Sequence, residues 1–572
     1  MTAGSRSHAK QRLVIRVLSA ALDLSILLVL AASLTIIATG GGLVTVRGVA
    51  LRARSVENPL WVLTGLVLLR YMTRSWPVFG VRRWSVGSIL NSGARLVLER
   101  CPDKAARMFS GRMTGIVSLA AIVFTIKVLV AAISPGFYSG DDVEVHEMTL
   151  GVLLGKPWPV WDIRCAFFPM TFVYPAQRVA MALGASSTEM LVLAGRVAVA
   201  LVSTVAIPLT WLAARRLSPG DPRLAAVSVL LLAINKLQMS FGSSELPRPV
   251  ATVFVLAAFT CVIRGRLRAT VLAGALLGTA IAFRFSEIAF IPAALTTLRH
   301  ERVWAHRLGL LATAGLTAAA VIGVSDALYW GHPFSSLIAA FEYTVTQRQS
   351  SRGFEPAWEY LKILPGWSTF TIVALAVVGS SRRAPDSWWL WLPITILSML
   401  PHKESRYLLP VIPFLCIAAA RGFLRVSEWI GATGDVSGWR RWAKDLAAPL
   451  LVVSVLHDVG GWRLSRSNEG IRLTQYVQRA NGGTGIAGQD LWRLGGRPYL
   501  WSLEPVVDIT PDILDDRIRL FAAVKDVSWV ALRYRVARIS GDSAMHSMGF
   551  VRDLEWRGAD YVLYVRSKPV PE

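Results

Sequence analysis

Apolar stretches of membrane-spanning length recur along this chain, and short arginine-rich segments separate them. A backbone that enters lipid must satisfy its own N–H and C=O groups, so this pattern commits the chain to a bundle of transmembrane helices. Window reasoning places about thirteen of them. They fall at 20–39, 58–71, 114–134, 189–213, 223–240, 247–263, 269–284, 286–298, 308–328, 367–380, 387–400, 407–421 and 446–459. A hydrophobic content of 53% and a mean hydropathy of +0.47 fit a polytopic membrane protein and not an ordinary soluble one.

The net charge of +24 invites a nucleic-acid reading, but its distribution argues for topology. One basic loop joins the second and third spans. Further clusters are Arg215-Arg216, then Arg264, Arg266 and Arg268, then Arg299, Arg302 and Arg307, then Arg382-Arg383. With alternating spans all of these face one side, which the positive-inside rule makes cytoplasmic. No nucleic-acid partner is expected. The loops 135–188, 241–246, 329–366 and 401–406 then lie on the opposite face, with the chain beyond about 460. The basic N-terminus (Arg6, Lys10, Arg12, Arg16) precedes an apolar run without a small-residue cleavage site, so a retained first helix is expected.

The expected organisation has three parts. Residues 1–113 form a two-helix extension with its basic loop, 114–459 the main transmembrane body, and 460–572 a small extracytoplasmic α/β domain. That last part alternates β-type runs such as Val527–Arg533 and Tyr561–Val565 with helix-like stretches, split by turns such as Asn481-Gly482-Gly483. Four scattered cysteines, Cys101, Cys165, Cys261 and Cys416, support neither a zinc site nor a disulfide framework.

Two constellations stand out. Residues 400–413, Leu-Pro-His-Lys-Glu-Ser-Arg-Tyr-Leu-Leu-Pro-Val-Ile-Pro, wedge His402, Lys403, Glu404 and Arg406 between two apolar stretches. Ionisable groups there are costly and are functional candidates. Lys403 and Arg406 suit a phosphate at the membrane boundary, with His402 as a donor; a helix starting here would put His402 and Arg406 one turn apart. The alternative is an interfacial cluster of snorkelling side chains. The second constellation opens the first large outer loop: Ser139-Gly140-Asp141-Asp142-Val143-Glu144-Val145-His146-Glu147. A carboxylate at a membrane edge can take a proton from an attacking hydroxyl. A solvated acidic loop or a cation site is the bland alternative.

The first string resembles the His-Lys-Glu-x-Arg-Phe/Tyr-Leu-x-Pro signature of the glycosyltransferase family 22 mannosyltransferases. The acidic loop, followed by Gly155, Trp161-Asp162, Arg164 and Phe168-Pro169, is similar to that family's first-loop pattern, with Gly140 and Asp142 departing from its Pro and Glu. Weaker echoes are Arg284 in Ala-Phe-Arg-Phe-Ser-Glu287, Asp326 to Gly331, and Gly353 to Tyr360, whereas Ser243 to Arg248 falls at a family motif without reproducing it.

The resemblance implies a membrane enzyme of the GT-C fold. It would transfer a hexose, mannose above others, from a polyprenyl- or dolichyl-phosphate donor to a glycan or glycolipid acceptor on the non-cytoplasmic face, with inversion. It implies no cofactor and no metal. Asp141 stands at the catalytic position, with Asp142 the alternative. Glu147, Trp161, Arg164, Arg284, His402, Lys403, Glu404 and Arg406 are the substrate-binding candidates. Trp158 and Trp358 lie in outer loops as further sugar contacts, while Trp388, Trp389 and Trp391 suit an aromatic membrane belt. The arginine- and alanine-rich composition suits a bacterial plasma membrane. Two other classes share such a topology: a transporter or flippase for a lipid-linked glycan, and an oligosaccharide ligase or polymerase using a diphosphate-linked donor.

Overall fold

The computed structural model describes residues 3–39, 42–46, 49–53, 57–73, 77–78, 81–85, 101–110, 113–298 (apart from 157), 303–346, 355–431, 454–459, 462, 468–480, 485–537 and 542–567. Among them, five helices are long and apolar enough to cross a bilayer: Leu13–Thr35, Thr114–Ile133, Thr188–Leu217, Val303–Trp330 and Ser405–Trp429. Glu359–Ser368 and Phe370–Gly379 make a sixth if taken as one span; they bend by 109° at Thr369, whose φ is 55°.

Several of the thirteen expected spans are short helices. Pro222–Ile234, Arg248–Val262, Leu267–Phe283 and Phe285–Thr297 have only 10–17 residues, roughly 15–26 Å at 1.5 Å per residue. Arg248–Val262 is buried along most of its length. A helix surrounded by protein is not held to the thickness of the hydrocarbon layer, and hydropathy alone does not separate it from a lipid-facing one. The expected span at 446–459 lies mostly outside the described residues.

Small residues set the closest helix contacts. Leu267–Phe283 carries Gly274 and Gly278 one turn apart, and both face Val303–Trp330. A methyl at Gly274 would collide with Thr313 Oγ1, and one at Gly278 with the Ala314 carbonyl. Gly379 and Gly422 likewise let Phe370–Gly379 approach Ile412–Gly431 so closely that either added methyl would strike backbone. Without a hydrophobic drive between helices in lipid, close backbone approach of this kind supplies the packing energy. Aromatic residues fill the centre. Trp389 is fully buried among Phe259, Phe290 and Phe414, and its indole N–H donates to Thr297 Oγ1 at 3.0 Å. It is therefore part of the core, not of an aromatic belt.

Residues 468–567 have a different character. A mixed five-stranded sheet runs in the order Val506–Asp508, Ile486–Gly488, Trp529–Arg533, Tyr561–Arg566, Phe550–Arg552. The first three strands are parallel and the last two pair antiparallel. One face buries Leu473 and Val477 of the helix Asn468–Arg479 together with Leu500 and Leu563. The other buries Leu520, Val524, Val530 and Val562.

Candidate active site

The acidic constellation forms the start of a helix, Gly140–Leu153. Ser139, with extended backbone, is its N-cap. Asp142 closes the turn: its Oδ2 accepts the N–H groups of Tyr138 at 2.9 Å and Ser139 at 3.1 Å. Such a cap satisfies donors that the first turn leaves open. Asp142 is fully buried; burial, reinforced by the nearby Glu245, pushes its carboxyl up to about 8.

Asp141, the preceding residue, points a different way. Arg164 Nη2 donates to its Oδ1 at 2.6 Å, and Arg406 Nη2 lies 2.7 Å from its Oδ2. The same Arg164 binds Glu144 through Nε. Burial pushes the Glu144 carboxyl up, against the pull of Arg164. Glu147, one turn further, faces the C-terminal unit: its Oε1 accepts the backbone N–H of Arg497 at 3.2 Å. Burial raises its pKa as well.

The charged string at 402–406 meets the acidic helix directly. Arg406 is almost completely buried and binds Asp141, Glu404 and Ser139 Oγ, the last at 3.1 Å. Glu404 accepts from His402 at 3.0 Å. Burial alone would raise Glu404, but the His402 hydrogen bond and the Arg406 charge outweigh it and hold it at about 2. No α-helix begins at His402. Residues 405–411 form a 3-10 helix containing Pro410, whose missing N–H disrupts regular helix. Glu404 therefore joins His402 to Arg406, in place of a one-turn helical spacing. Lys403 turns away: its Nζ donates to the carbonyls of Leu400 at 2.6 Å and Glu355 at 2.9 Å, and its N–H to Glu355 Oε2.

Beside this network lies a small, partly open pocket. Asp141, Arg164, Arg248 and Arg284 supply its charged lining, and Val145, Met148, Phe168, Leu246 and Phe283 its apolar wall. Arg284 caps the helix Leu267–Phe283, and among the described residues its guanidinium makes no ion pair. Arg248 begins the next helix back in sequence, Arg248–Val262. It lies over the Tyr407 ring at 3.7 Å, binds Ser286 Oγ at 3.2 Å and stands 3.7 Å from Glu287. Trp161 is half-exposed and packs edge-on to Tyr343. Trp158 instead packs with Leu150 and Leu191, and Trp358 is exposed. Among the described residues no three His, Cys, Asp or Glu side chains gather as a metal ion requires.

Sequence reasoning passed over several residues that the fold brings here. Arg248 and Glu245 belong to Ser243–Arg248, a polar stretch between two apolar helices, which is the same signal that drew attention to 402–406. Glu245 is shared by Arg196 and by His146 at 3.1 Å. Arg196 also donates to the carbonyls of Ser134 and Gly136, just before the acidic helix. Gln177 completes this buried network at His146 Nδ1, 3.0 Å away. Nothing in local sequence pairs a helix-interior arginine with a carboxylate 49 residues later.

The fold is that of solved membrane glycosyltransferases. ArnT from Cupriavidus metallidurans in the apo state is similar with a TM-score of 0.56 at 13% identity, over 80% of this chain and 99% of that one. ArnT bound to undecaprenyl phosphate gives 0.55 at 15% identity, over 81% and 100%. Arabinofuranosyltransferase AftD from Mycobacteria is a looser likeness, 0.46 at 13% identity over 80% of this chain and 42% of that one. The architecture is thus of the GT-C class. Residues 143–461 match the Alg9-like mannosyltransferase family, and the chain belongs to that family. It is a glycosyltransferase.

Proposed function

We propose that this enzyme transfers a hexose, mannose by the pattern of its family, from a polyprenyl- or dolichyl-phosphate carrier to a hydroxyl of a glycan or glycolipid. The acceptor oxygen attacks the anomeric carbon while the bond from that carbon to the phosphate oxygen breaks, and the polyprenyl phosphate leaves with the electron pair. Asp141 takes the acceptor proton. A single displacement inverts the anomeric centre, so a β-linked donor yields an α-glycoside.

One observation carries this reading. A single carboxylate, Asp141, shares a cavity with three arginines and an apolar wall, the combination that a lipid phosphate and its sugar require. Arg248 and Arg284 are the natural phosphate clamp. Arg164 and Arg406 hold Asp141, and the donor phosphate offers them a second anionic partner. Asp142 serves the fold: burial raises its carboxyl, and its Oδ2 already accepts two backbone N–H groups. The ArnT structure containing undecaprenyl phosphate, a protein of the same fold, supports a lipid-phosphate donor.

The outer face is supported by charge placement. Arg264, Arg266 and Arg268 stand before the helix whose far end carries Arg284, and Arg382-Arg383 before the helix Pro385–Ser398 that leads to His402. The site therefore lies at the helix ends away from the basic loops. A nucleotide-sugar donor would be on the other side. The test is to offer the detergent-purified protein labelled polyprenyl-phosphate mannose, polyprenyl-phosphate glucose and GDP-mannose beside candidate acceptors. Transfer from the mannosyl lipid is expected. Transfer from GDP-mannose alone would refute the donor assignment.

A further inference from the structure

The C-terminal unit grips the acidic helix itself. Asn468 Oδ1 accepts the N–H of Gly136 at 2.9 Å, in the turn that leads into the helix. In the helix, Val143 packs with Ile471 and Tyr499, and Phe137 meets the Tyr499 ring edge-on at 6.0 Å between centroids. Gly496 lies so close that a methyl there would collide with Val143; its φ of 60° also favours glycine. The next N–H in the chain, that of Arg497, is the one that Glu147 accepts. A fourth tie joins Thr188 Oγ1 to the Pro498 carbonyl at 3.1 Å.

From this we infer that the segment 495–499 is a positioning element for catalysis: through Glu147 and Val143 it sets where the helix Gly140–Leu153 holds Asp141. The inference rests on Asp141 being the base. An adjacent face of the helix is fixed from within the membrane body, by His146 on Glu245, so the C-terminal unit supplies one of two anchors. Glu147 acts through its hydrogen bond to main chain. What it needs is an acceptor oxygen, and not a charge. A shift of about 1 Å at a reacting group can cost on the order of a hundredfold in rate, so a modest loss of docking reads out as a loss of turnover.

The experiment uses the full-length protein in detergent with undecaprenyl phosphate and labelled mannosyl donor. Glu147→Ala should lower kcat at saturating donor roughly tenfold to a hundredfold, while the Kd for undecaprenyl phosphate stays within about twofold. Glu147→Gln, which keeps the acceptor oxygen, should recover most of kcat. Gly496→Val should behave like Glu147→Ala; if it fails to fold, the Glu147 pair still decides. Asp141→Asn is run beside them. If it is inactive but Glu147→Ala and a folded Gly496→Val keep wild-type kcat, the positioning role is wrong and the base assignment stands. A Glu147→Gln enzyme as poor as Glu147→Ala would also overturn the proposal, because the charge would then matter. Full activity in Asp141→Asn would remove the premise.

Discussion

Two adjacent carboxylates divide their labour by where they point. Asp142 faces backbone donors at the helix start, and Asp141 faces Arg164, Arg406 and the cavity. Asp142→Asn keeps an acceptor oxygen for the cap and should cost less than about tenfold in kcat, well below the 10²–10⁴-fold typical of losing a general base. The arginines divide likewise. Arg248→Ala or Arg284→Ala should weaken donor binding by about 1.5–3 kcal/mol each, the worth of a charge-assisted contact. Binding titrations with undecaprenyl phosphate measure this. Arg284→Lys should restore only part, since an ammonium lacks the planar fork. Lys403→Ala should instead lower the thermal midpoint and leave donor affinity within a few fold, because its ammonium is engaged with the carbonyls of Leu400 and Glu355. At this scale the residue types were legible in the sequence. Which of two neighbouring aspartates turns inward was not, because a cap and a cavity lining differ only in three dimensions.

At the scale of elements, broken helices build the site. The 3-10 segment at 405–411 and the short helices ending at Phe283 and beginning at Arg248 bring Arg406, Arg284 and Arg248 together beside Asp141. Hydropathy found nearly every apolar segment but not its length or its neighbours, since a helix enclosed by protein and one facing lipid have similar composition. Gly274 and Gly278 show what was available to be read: two glycines four apart in an apolar run signal a close helix contact, and the fold places Val303–Trp330 there. Gly278→Leu should destabilise the protein by about 1–3 kcal/mol through overpacking, seen as a lower thermal midpoint in detergent. An unchanged midpoint would mean these helices separate more readily than their packing shows.

Across the whole molecule, the candidate site draws on segments far apart in the chain: 139–164, 245–248, 284–287 and 402–406, with 495–499 braced against the first. The family resemblance identified three of these regions because they carry local motifs. Ser243–Arg248 could be located but given no role, and the C-terminal brace could not be read, since a lone arginine after a proline and a Gly-Gly turn gain meaning only from what folds against them. The topology makes a further prediction. A reporter fused after Glu572 should be active only in its extracytoplasmic form, because the basic loops fix the alternation of spans. A cytoplasmic C-terminus would carry the acidic helix, which the α/β unit contacts, to the cytoplasmic side and overturn the outer-face proposal. The central claim is that Asp141 activates the acceptor of a lipid-phosphate donor. Its most direct test is the single-turnover rate of sugar transfer from polyprenyl-phosphate mannose in the wild-type enzyme and in Asp141→Asn, with donor binding measured in parallel. The account predicts a rate about 10²–10⁴-fold lower with donor affinity retained within a few fold; equal rates in the two enzymes would contradict it.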